Sequence, residues 1–109
     1  MPQIIWGDVT AYGSTNPTIH SGGGFTVLRV AKGTYLIDFK EGVFSSTPAL
    51  IATQQFSFSS NWNDFSSPGG DTTDNVVIVA LDQTHAKVKT GGSNGDADDR
   101  NFSFVAIGD

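Results

Sequence analysis

Hydrophobic residues in this chain occur in short runs separated by polar residues, and they do not recur at the spacing of a helix. No window sustains apolar residues at i, i+3 and i+4, whereas short runs rich in Val, Ile, Phe and Thr recur between clusters of Gly, Ser, Asn and Asp. Short alternating runs separated by turn-forming residues are typical of β-strands. The pattern therefore predicts an all-β protein.

One hairpin is marked by its turn. The runs Phe25–Ala31 and Thr34–Phe39 flank Lys32 and Gly33, and a glycine at this position supplies the positive φ that a tight turn requires. In the second run, alternate positions are apolar, which predicts a strand with one buried face and one face in solvent.

The other runs bring the expected number of strands to about seven. They cover residues 4–11, 49–56, 75–82, 85–89 and 101–107, and Pro48 precedes one of them, where a missing N–H costs least. Residues between the first run and Gly24 are rich in Gly, Ser, Asn and Pro, which predicts a long loop. About seven short antiparallel strands are typical of a small β-sandwich, here one domain over residues 1–109.

Two strands are apolar on both faces. Every residue of 76–81 is apolar, and in the last strand Val105 and Ile107 lie on the face opposite Phe102 and Phe104. A two-layer sandwich buries only the inner face of each sheet, so another copy packed around a symmetry axis is the economical cover for the outer face. The sequence therefore predicts a homo-oligomer. The alternative is that these are central strands whose ends curl under loops.

The composition and charge narrow the classes of protein to which this chain can belong. The 109 residues are 38% hydrophobic and 16% charged, which suits a folded domain. The formal charge of −5 and the six scattered basic residues argue against a nucleic-acid partner. There is no Cys, so disulfides and thiolate metal sites are excluded. No apolar run approaches the roughly 20 residues of a membrane span, and the start lacks the pattern of a secretion signal. We therefore expect no membrane insertion.

The first candidate site is the long loop over residues 57–74. Structureless loops above about 12 to 15 residues tend to be functional or disordered. An aromatic ring can stack on a sugar ring while Asn and Asp side chains bond its hydroxyls, which predicts a sugar site here. The alternative is that the aromatic side chains only anchor the loop to the sandwich or to a neighbouring subunit. The residues predicted to bind sugar are Asn61, Trp62, Asn63 and Asp64.

The second candidate site is the loop over residues 91–100. Asp96, Asp98 and Asp99 lie beside flexible glycines and have the oxygen ligands that a hard cation such as Ca²⁺ prefers. The loop lacks the downstream Glu of a helix–loop–helix calcium site. The alternative is a solvated acidic surface in which Arg100 neutralises Asp98 or Asp99. No cofactor is otherwise expected.

Nothing in the chain is typical of an enzyme. There is no nucleophile elbow, no phosphate-binding glycine loop and no pair of histidines at metal spacing. His20 lies in the predicted glycine- and proline-rich loop, and His85 opens a strand on the face of Lys87 and Lys89, so both are expected to be exposed. We therefore expect no catalytic activity.

The order of features along nearly the whole chain resembles a known group of proteins. The segments that carry the resemblance are IWGDV, GFTV, GTYLIDF, FSSTPA and the closing DRNFSFVAIG. In this order they resemble the H-type lectins, and small β-domains of bacterial and phage tail-fibre or surface proteins. The resemblance implies an antiparallel β-sandwich of six to seven strands, assembled as a trimer with sugar sites near the subunit boundaries.

The chain departs from H-type lectins at the sugar-binding positions. Members that bind galactose-type sugars use an Arg on the strand after the central loop and aromatic or His residues in the last hairpin loop. Here the comparable segments read NVVI (75–78) and GGSN (91–94), so the family's sugar residues cannot be transferred. The loop that holds Trp62 is the replacement platform.

These observations predict a non-enzymatic carbohydrate-binding or receptor-recognition module, in which a homotrimer gains avidity for glycans. Such a role implies adhesion outside a cell, at a cell surface or on a virion. The alternative is a structural module of a phage tail fibre or surface appendage that trimerises without binding a small ligand.

Overall fold

The computed structural model describes residues 2–55, 73 and 75–109. The all-β prediction is confirmed for these residues, which contain no helix and hence none that could span a membrane. The described strands are β1 (Gln3–Tyr12), β2 (Thr15–Ser21), β3 (Phe25–Ala31), β4 (Thr34–Phe39), β5 (Ala49–Gln55), β6 (Asn75–Leu81), β7 (His85–Gly91) and β8 (Asn101–Gly108).

The strands form two four-stranded sheets that pack face to face. The strand order is β2-β1-β8-β5 in the first sheet and β3-β4-β7-β6 in the second sheet. All neighbouring strands are antiparallel. The described residues therefore form the predicted antiparallel β-sandwich, with eight strands where the sequence predicted six to seven.

The additional strand is β2, in a segment that the sequence analysis predicted to be a loop. It pairs with β1 at the edge of the first sheet, where Pro17 is tolerated because an edge strand uses only one side for ladder hydrogen bonds. None of its residues is buried, so no alternating apolar pattern marks the strand. The loop prediction was wrong for this reason, although the turn that follows has positive φ at Gly23 and Gly24.

The hairpin around Lys32 and Gly33 is confirmed. β3 pairs with β4, and the φ of Gly33 is +66°. The side chains of Tyr35, Ile37 and Phe39 are buried, as the alternation in β4 predicts. The runs predicted over 75–82 and 85–89 also pair as a hairpin, β6 with β7, and β7 continues to Gly91.

The core lies between the sheets and contains the inward-facing residues of both. Two aromatic contacts join the layers: Phe25 packs edge-on against Phe104 at 4.9 Å between ring centroids, and Tyr35 lies 5.5 Å from Phe102. Each such contact adds about 0.5–1.5 kcal/mol to the effect of burial. The buried hydrophobic residues are Ile5, Val9, Phe25, Val27, Tyr35, Ile37, Phe39, Phe44, Leu50, Val76, Ala86, Val88, Phe102, Phe104 and Ala106.

Apolar side chains are also exposed on the outer faces of the sheets. This agrees with the prediction that two strands are apolar on both faces. β6 exposes Val77, Ile78 and Val79, and it is an edge strand of the second sheet, not a central one. β8 is central in the first sheet, and its outer residues Val105 and Ile107 are exposed. The described loops therefore do not cover the outer face of β8.

Candidate functional site

The first predicted loop joins β5 to β6, and its flanks lie beside the second loop. Gln54 Nε2 donates to the carbonyl of Gly91 at 3.0 Å, and the N–H of Gly91 donates to Gln54 Oε1 at 3.1 Å. Asn75 pairs with Gly91 across the second sheet. The residues predicted to bind sugar lie outside the described residues: Asn61, Trp62, Asn63 and Asp64.

A cleft of about 350 Å³ opens where these segments meet, and we call it the loop cleft. The end of the first predicted loop, the outer faces of β6 and β7, and the second predicted loop all line it. The two loops that the sequence analysis selected separately therefore contribute to one concave surface. The side chains that give the loop cleft its chemistry are Thr73, Asn75, Val77, Lys89, Ser93 and Asp96.

These side chains include both hydrogen-bond donors and hydrogen-bond acceptors. The amide of Asn75 donates and accepts, the hydroxyl of Ser93 does both, the ammonium of Lys89 donates and the carboxylate of Asp96 accepts. Val77 adds an exposed apolar group. Among the described residues that line the loop cleft, one is a cation and one is an anion, so their formal charges cancel. This combination suits a neutral ligand with several hydroxyl groups.

The second loop is held in shape by its own backbone. The N–H of Gly92 donates to the carbonyl of Asp96 at 3.2 Å, and the N–H of Gly95 donates to that of Gly92 at 3.0 Å. A side chain at Gly91 would collide with the carbonyl oxygen of Asp96, and Gly95 has a φ of +85°. The Asn94 side chain bonds both the N–H and the carboxylate of Asp96 at 3.1 Å. The glycines therefore serve this tight turn.

Asp99 is the centre of a hydrogen-bonded cluster beneath the second loop. Its carboxylate accepts from Arg29 Nε and Nη2, each at 3.0 Å, from the hydroxyl of Tyr35 at 2.6 Å and from the N–H of Gly33 at 2.9 Å. Only 10% of the Asp99 side chain is exposed. Two parallel bonds from one guanidinium are a strong, directional pairing. Asp99 therefore attaches the second loop to the β3–β4 hairpin.

The charges of this cluster determine its protonation states. The hydrogen bonds from Arg29 lower the pKa of Asp99 to about 2, against the opposing effect of burial and with help from Tyr35 and Gly33. Burial raises the pKa of Tyr35, and its hydrogen bond to Asp99 raises it further. The hydrogen bond to Asp99 also raises the pKa of Arg29. At neutral pH the cluster therefore consists of a carboxylate, a guanidinium and a neutral phenol.

The three carboxylates predicted as Ca²⁺ ligands do not converge. Asp99 is directed into the cluster, Asp96 bonds Asn94, and Asp98 Oδ2 lies 3.5 Å from Arg100 Nη2. Among the described residues, no group of three or more His, Asp or Glu could hold a metal ion. In this structure the three carboxylates therefore have separate partners, and the alternative pairing of Arg100 with Asp98 is present.

Both histidines reach the surface, but His20 lies in a strand where a loop was predicted, and His85 is less exposed than predicted. His20 belongs to the edge strand β2 and not to a loop, and its side chain is exposed. His85 opens β7 as predicted and is half-buried, on the same face as Lys87 and Lys89.

The sequence analysis missed the partners of Asp99 and two residues of the loop cleft. Tyr35 was assigned only to the core, and Arg29 was given no role, although the two are cross-strand partners in β3 and β4. The one feature of the sequence that could have indicated a buried carboxylate partner was an Arg opposite a Tyr in a half-buried hairpin. Asn75 and Lys89 were considered only as strand residues.

Comparisons with known proteins give no family assignment. No family model matches the chain, and neither a curated protein nor a solved structure matches it. The resemblance to H-type lectins therefore stays a prediction.

Proposed function

We propose that this chain is a non-enzymatic carbohydrate-binding module that holds its ligand in the loop cleft and acts as a multivalent homo-oligomer. The observation that carries the proposal is that the end of the first predicted loop and the second predicted loop line one cleft of about 350 Å³. Pockets for small molecules have volumes of roughly 300–1,000 Å³, so the loop cleft suits one or two sugar rings.

The chemistry of the loop cleft supports a sugar over an ion. Recognition of several hydroxyls needs donors and acceptors close together, which Asn75, Lys89, Ser93 and Asp96 provide. The second loop presents Ser93 and Asp96 from a backbone that Asp99 fixes to the hairpin, while Asn75 and Lys89 are held by the paired strands β6 and β7. A site held in advance loses less entropy when a ligand binds.

The test is binding of the purified protein to a broad glycan array, with and without added Ca²⁺. We expect selective binding to a small set of glycans that chelation leaves unchanged, because the described carboxylates do not converge on a metal site. A blank array at high protein concentration would contradict the proposal. Binding that chelation abolishes would return Asp96 and Asp98 to the role of metal ligands.

Substitutions in the loop cleft give a sharper test. Lys89→Ala and Asn75→Ala are each expected to weaken binding of the best array ligand by about fivefold, since each removes a polar contact worth roughly 1 kcal/mol. Lys87→Ala is the matched control, because Lys87 lies on the same face of β7 but does not line the loop cleft. Titration calorimetry at constant protein concentration measures the effect. Equal loss in all three variants would contradict the assignment.

Trp62, outside the described residues, is tested separately. If its ring stacks on the sugar, Trp62→Ala lowers the affinity for the best array ligand by about 5- to 150-fold, because stacking on an aromatic ring contributes on the order of 1–3 kcal/mol. The melting temperature and the mass in solution are expected to stay unchanged. A lower melting temperature or a smaller mass would show that Trp62 is an anchor and not a binding residue.

A second candidate function follows from the exposed apolar side chains of the first sheet. A structural or assembly module of a tail fibre or surface appendage would need such a face for trimerisation and no ligand. An oligomer that binds no glycan would favour this function, whereas selective glycan binding favours the recognition module.

A further inference from the structure

The outer face of the first sheet carries two cross-strand rows of apolar side chains. Ile4 and Ala49 both pair with Ile107, and Trp6 and Ile51 both pair with Val105, across the strands β1, β8 and β5. All are exposed, to 71% for Ile51 and 60% for Ile4. We call this surface the apolar patch, and its members are Ile4, Trp6, Ala49, Ile51, Val105 and Ile107.

The size of the apolar patch suits a protein interface. Its exposed fractions correspond to on the order of 500 Å² of apolar surface, and the largest patch on a typical monomer is roughly 300–600 Å². A stable interface buries about 800 Å² on each partner, an apolar centre together with a polar rim. The apolar patch is large enough to be that centre.

A polar rim adjoins the apolar patch on the same face. Gln55 Nε2 donates to Ser103 Oγ at 2.6 Å, Ser103 Oγ donates to Asp8 Oδ1 at 2.6 Å, and Asp8 Oδ2 lies 3.5 Å from His20 Nδ1. Trp6 stands at the border, edge-on to His20 with 5.5 Å between ring centroids. Most rim groups therefore have a partner before any interface covers them, whereas Gln55 Oε1 has none among the described residues and is free to accept a hydrogen bond across the interface.

The absence of charge in the apolar patch favours a second copy of the chain as its occupant. The apolar patch contains no charged residue, so two copies of it can meet without repulsion even though each chain has a formal charge of −5. The outer face of the second sheet differs, since its exposed side chains include the charged residues Asp38, Lys87 and Lys89. Of the two outer faces, the first therefore offers the larger row of apolar side chains without an interposed charge.

The position of the apolar patch also separates it from the β5–β6 connection. β5 ends at Gln55, which pairs with Asn101, and Gln54 contacts Gly91 at the same end of the sandwich. The nearest apolar row, at Ile51, lies four residues away along β5, or about 13 Å. The segment between β5 and β6 therefore starts away from the apolar patch.

We infer that the apolar patch is the surface through which copies of this chain assemble around a symmetry axis, with the loop cleft of each copy left open. The inference rests on the homo-oligomer of the proposed function and names its interface. The loop cleft lies on the side of the second sheet, at the end where Gln54 contacts Gly91. Assembly through the first sheet would therefore present several clefts at once.

The test is the mass of the full chain in solution, by light scattering and sedimentation over a range of concentrations. We expect a defined multiple of 11.5 kDa for the unmodified protein and at least a hundredfold weaker association for Ile51→Glu. Leu28→Glu is the matched control, because Leu28 is 49% exposed on the outer face of the second sheet. Ile51→Thr keeps the branched side chain that suits a strand, so its weaker association would not reflect misfolding.

Each outcome decides the inference. A monomeric unmodified protein would overturn it and leave the apolar patch to another segment or a different partner. Dissociation by Leu28→Glu, or unchanged mass in both Ile51 variants, would also overturn it. Failure of glycan binding is a separate result: an oligomer with a blank array removes the proposed function and keeps the interface. A monomeric Ile51→Glu that binds a glycan in calorimetry, but weakly on the array, supports both.

Discussion

Replacement of Gly33 by alanine is expected to lower the free energy of unfolding by about 2–5 kcal/mol. The φ of Gly33 is +66°, a region that costs an alanine about 1–2 kcal/mol. A Cβ there would also lie 2.5 Å from the backbone nitrogen of Asp98 and 2.8 Å from the carbonyl oxygen of Thr90. Backbone atoms cannot rotate away as a flexible side chain does, so the second loop must shift, at a further cost of about 1–3 kcal/mol.

Gly13→Ala is the control for this prediction. Gly13 has a nearly identical φ of +61°, and nothing lies within 4 Å of a Cβ added there. Urea denaturation followed by tryptophan fluorescence or circular dichroism compares the two variants. The difference between them measures the contact between the β3–β4 hairpin and the second loop. Equal destabilisation would contradict the view that this contact is tight.

The same substitution has a functional consequence. Thr90 donates its N–H to the carbonyl of Gly33 at 2.8 Å, and the N–H of Asp98 donates to the carbonyl of Thr90 at 3.0 Å. A shift at Gly33 therefore passes to the loop that lines the loop cleft. If the proposed function is correct, Gly33→Ala weakens glycan binding while Gly13→Ala leaves it unchanged.

Replacement of Asp99 by asparagine is expected to destabilise the fold by about 2–4 kcal/mol at pH 7, because it removes one partner of a largely buried ion pair. Asparagine has nearly the same shape, so the loss reports the charge and not a cavity. Asp98→Asn is the control. Asp98 is far more exposed, and its ion pair with Arg100 is expected to contribute less than about 1 kcal/mol.

The stability also depends on pH in a predictable direction. Because the pKa of Asp99 falls from an ordinary value of 3.8 to about 2 on folding, its stabilisation is complete above pH 3.8 and is lost as the pH falls toward 2. The unmodified protein is therefore expected to lose about 2 kcal/mol relative to Asp99→Asn over this window. Urea unfolding curves between pH 5 and pH 2 measure the difference. Parallel pH profiles would contradict the assigned role of Asp99.

Local features of the chain were enough for most of the strands. Alternation places Tyr35, Ile37 and Phe39 on one face, and a glycine after Lys32 closes a tight turn, because both effects depend only on neighbouring residues. β2 escaped prediction for the converse reason. As an edge strand without a buried residue, it takes its structure from hydrogen bonds to β1 and not from its own pattern.

The role of Asp99 shows where local reasoning ends. Three carboxylates in the second loop resemble a cation site when their partners are unknown. The partners that assign Asp99 to a structural cluster lie 70 residues away in Arg29 and 64 residues away in Tyr35. The position of the first predicted loop beside the second depends likewise on the contact of Gln54 with Gly91, which no local pattern reveals.

The sequence by itself determined that this protein is all-β, where its main turns lie, and that some strands are apolar on both faces. The tertiary structure alone decided which outer face carries an apolar patch without charge, which carboxylate is neutralised and which loops share a cleft. The physical reason is the separation along the chain of the residues that interact. Turn geometry and alternation arise between neighbours along the chain, whereas charge pairing, burial and concavity arise between groups that only folding brings together.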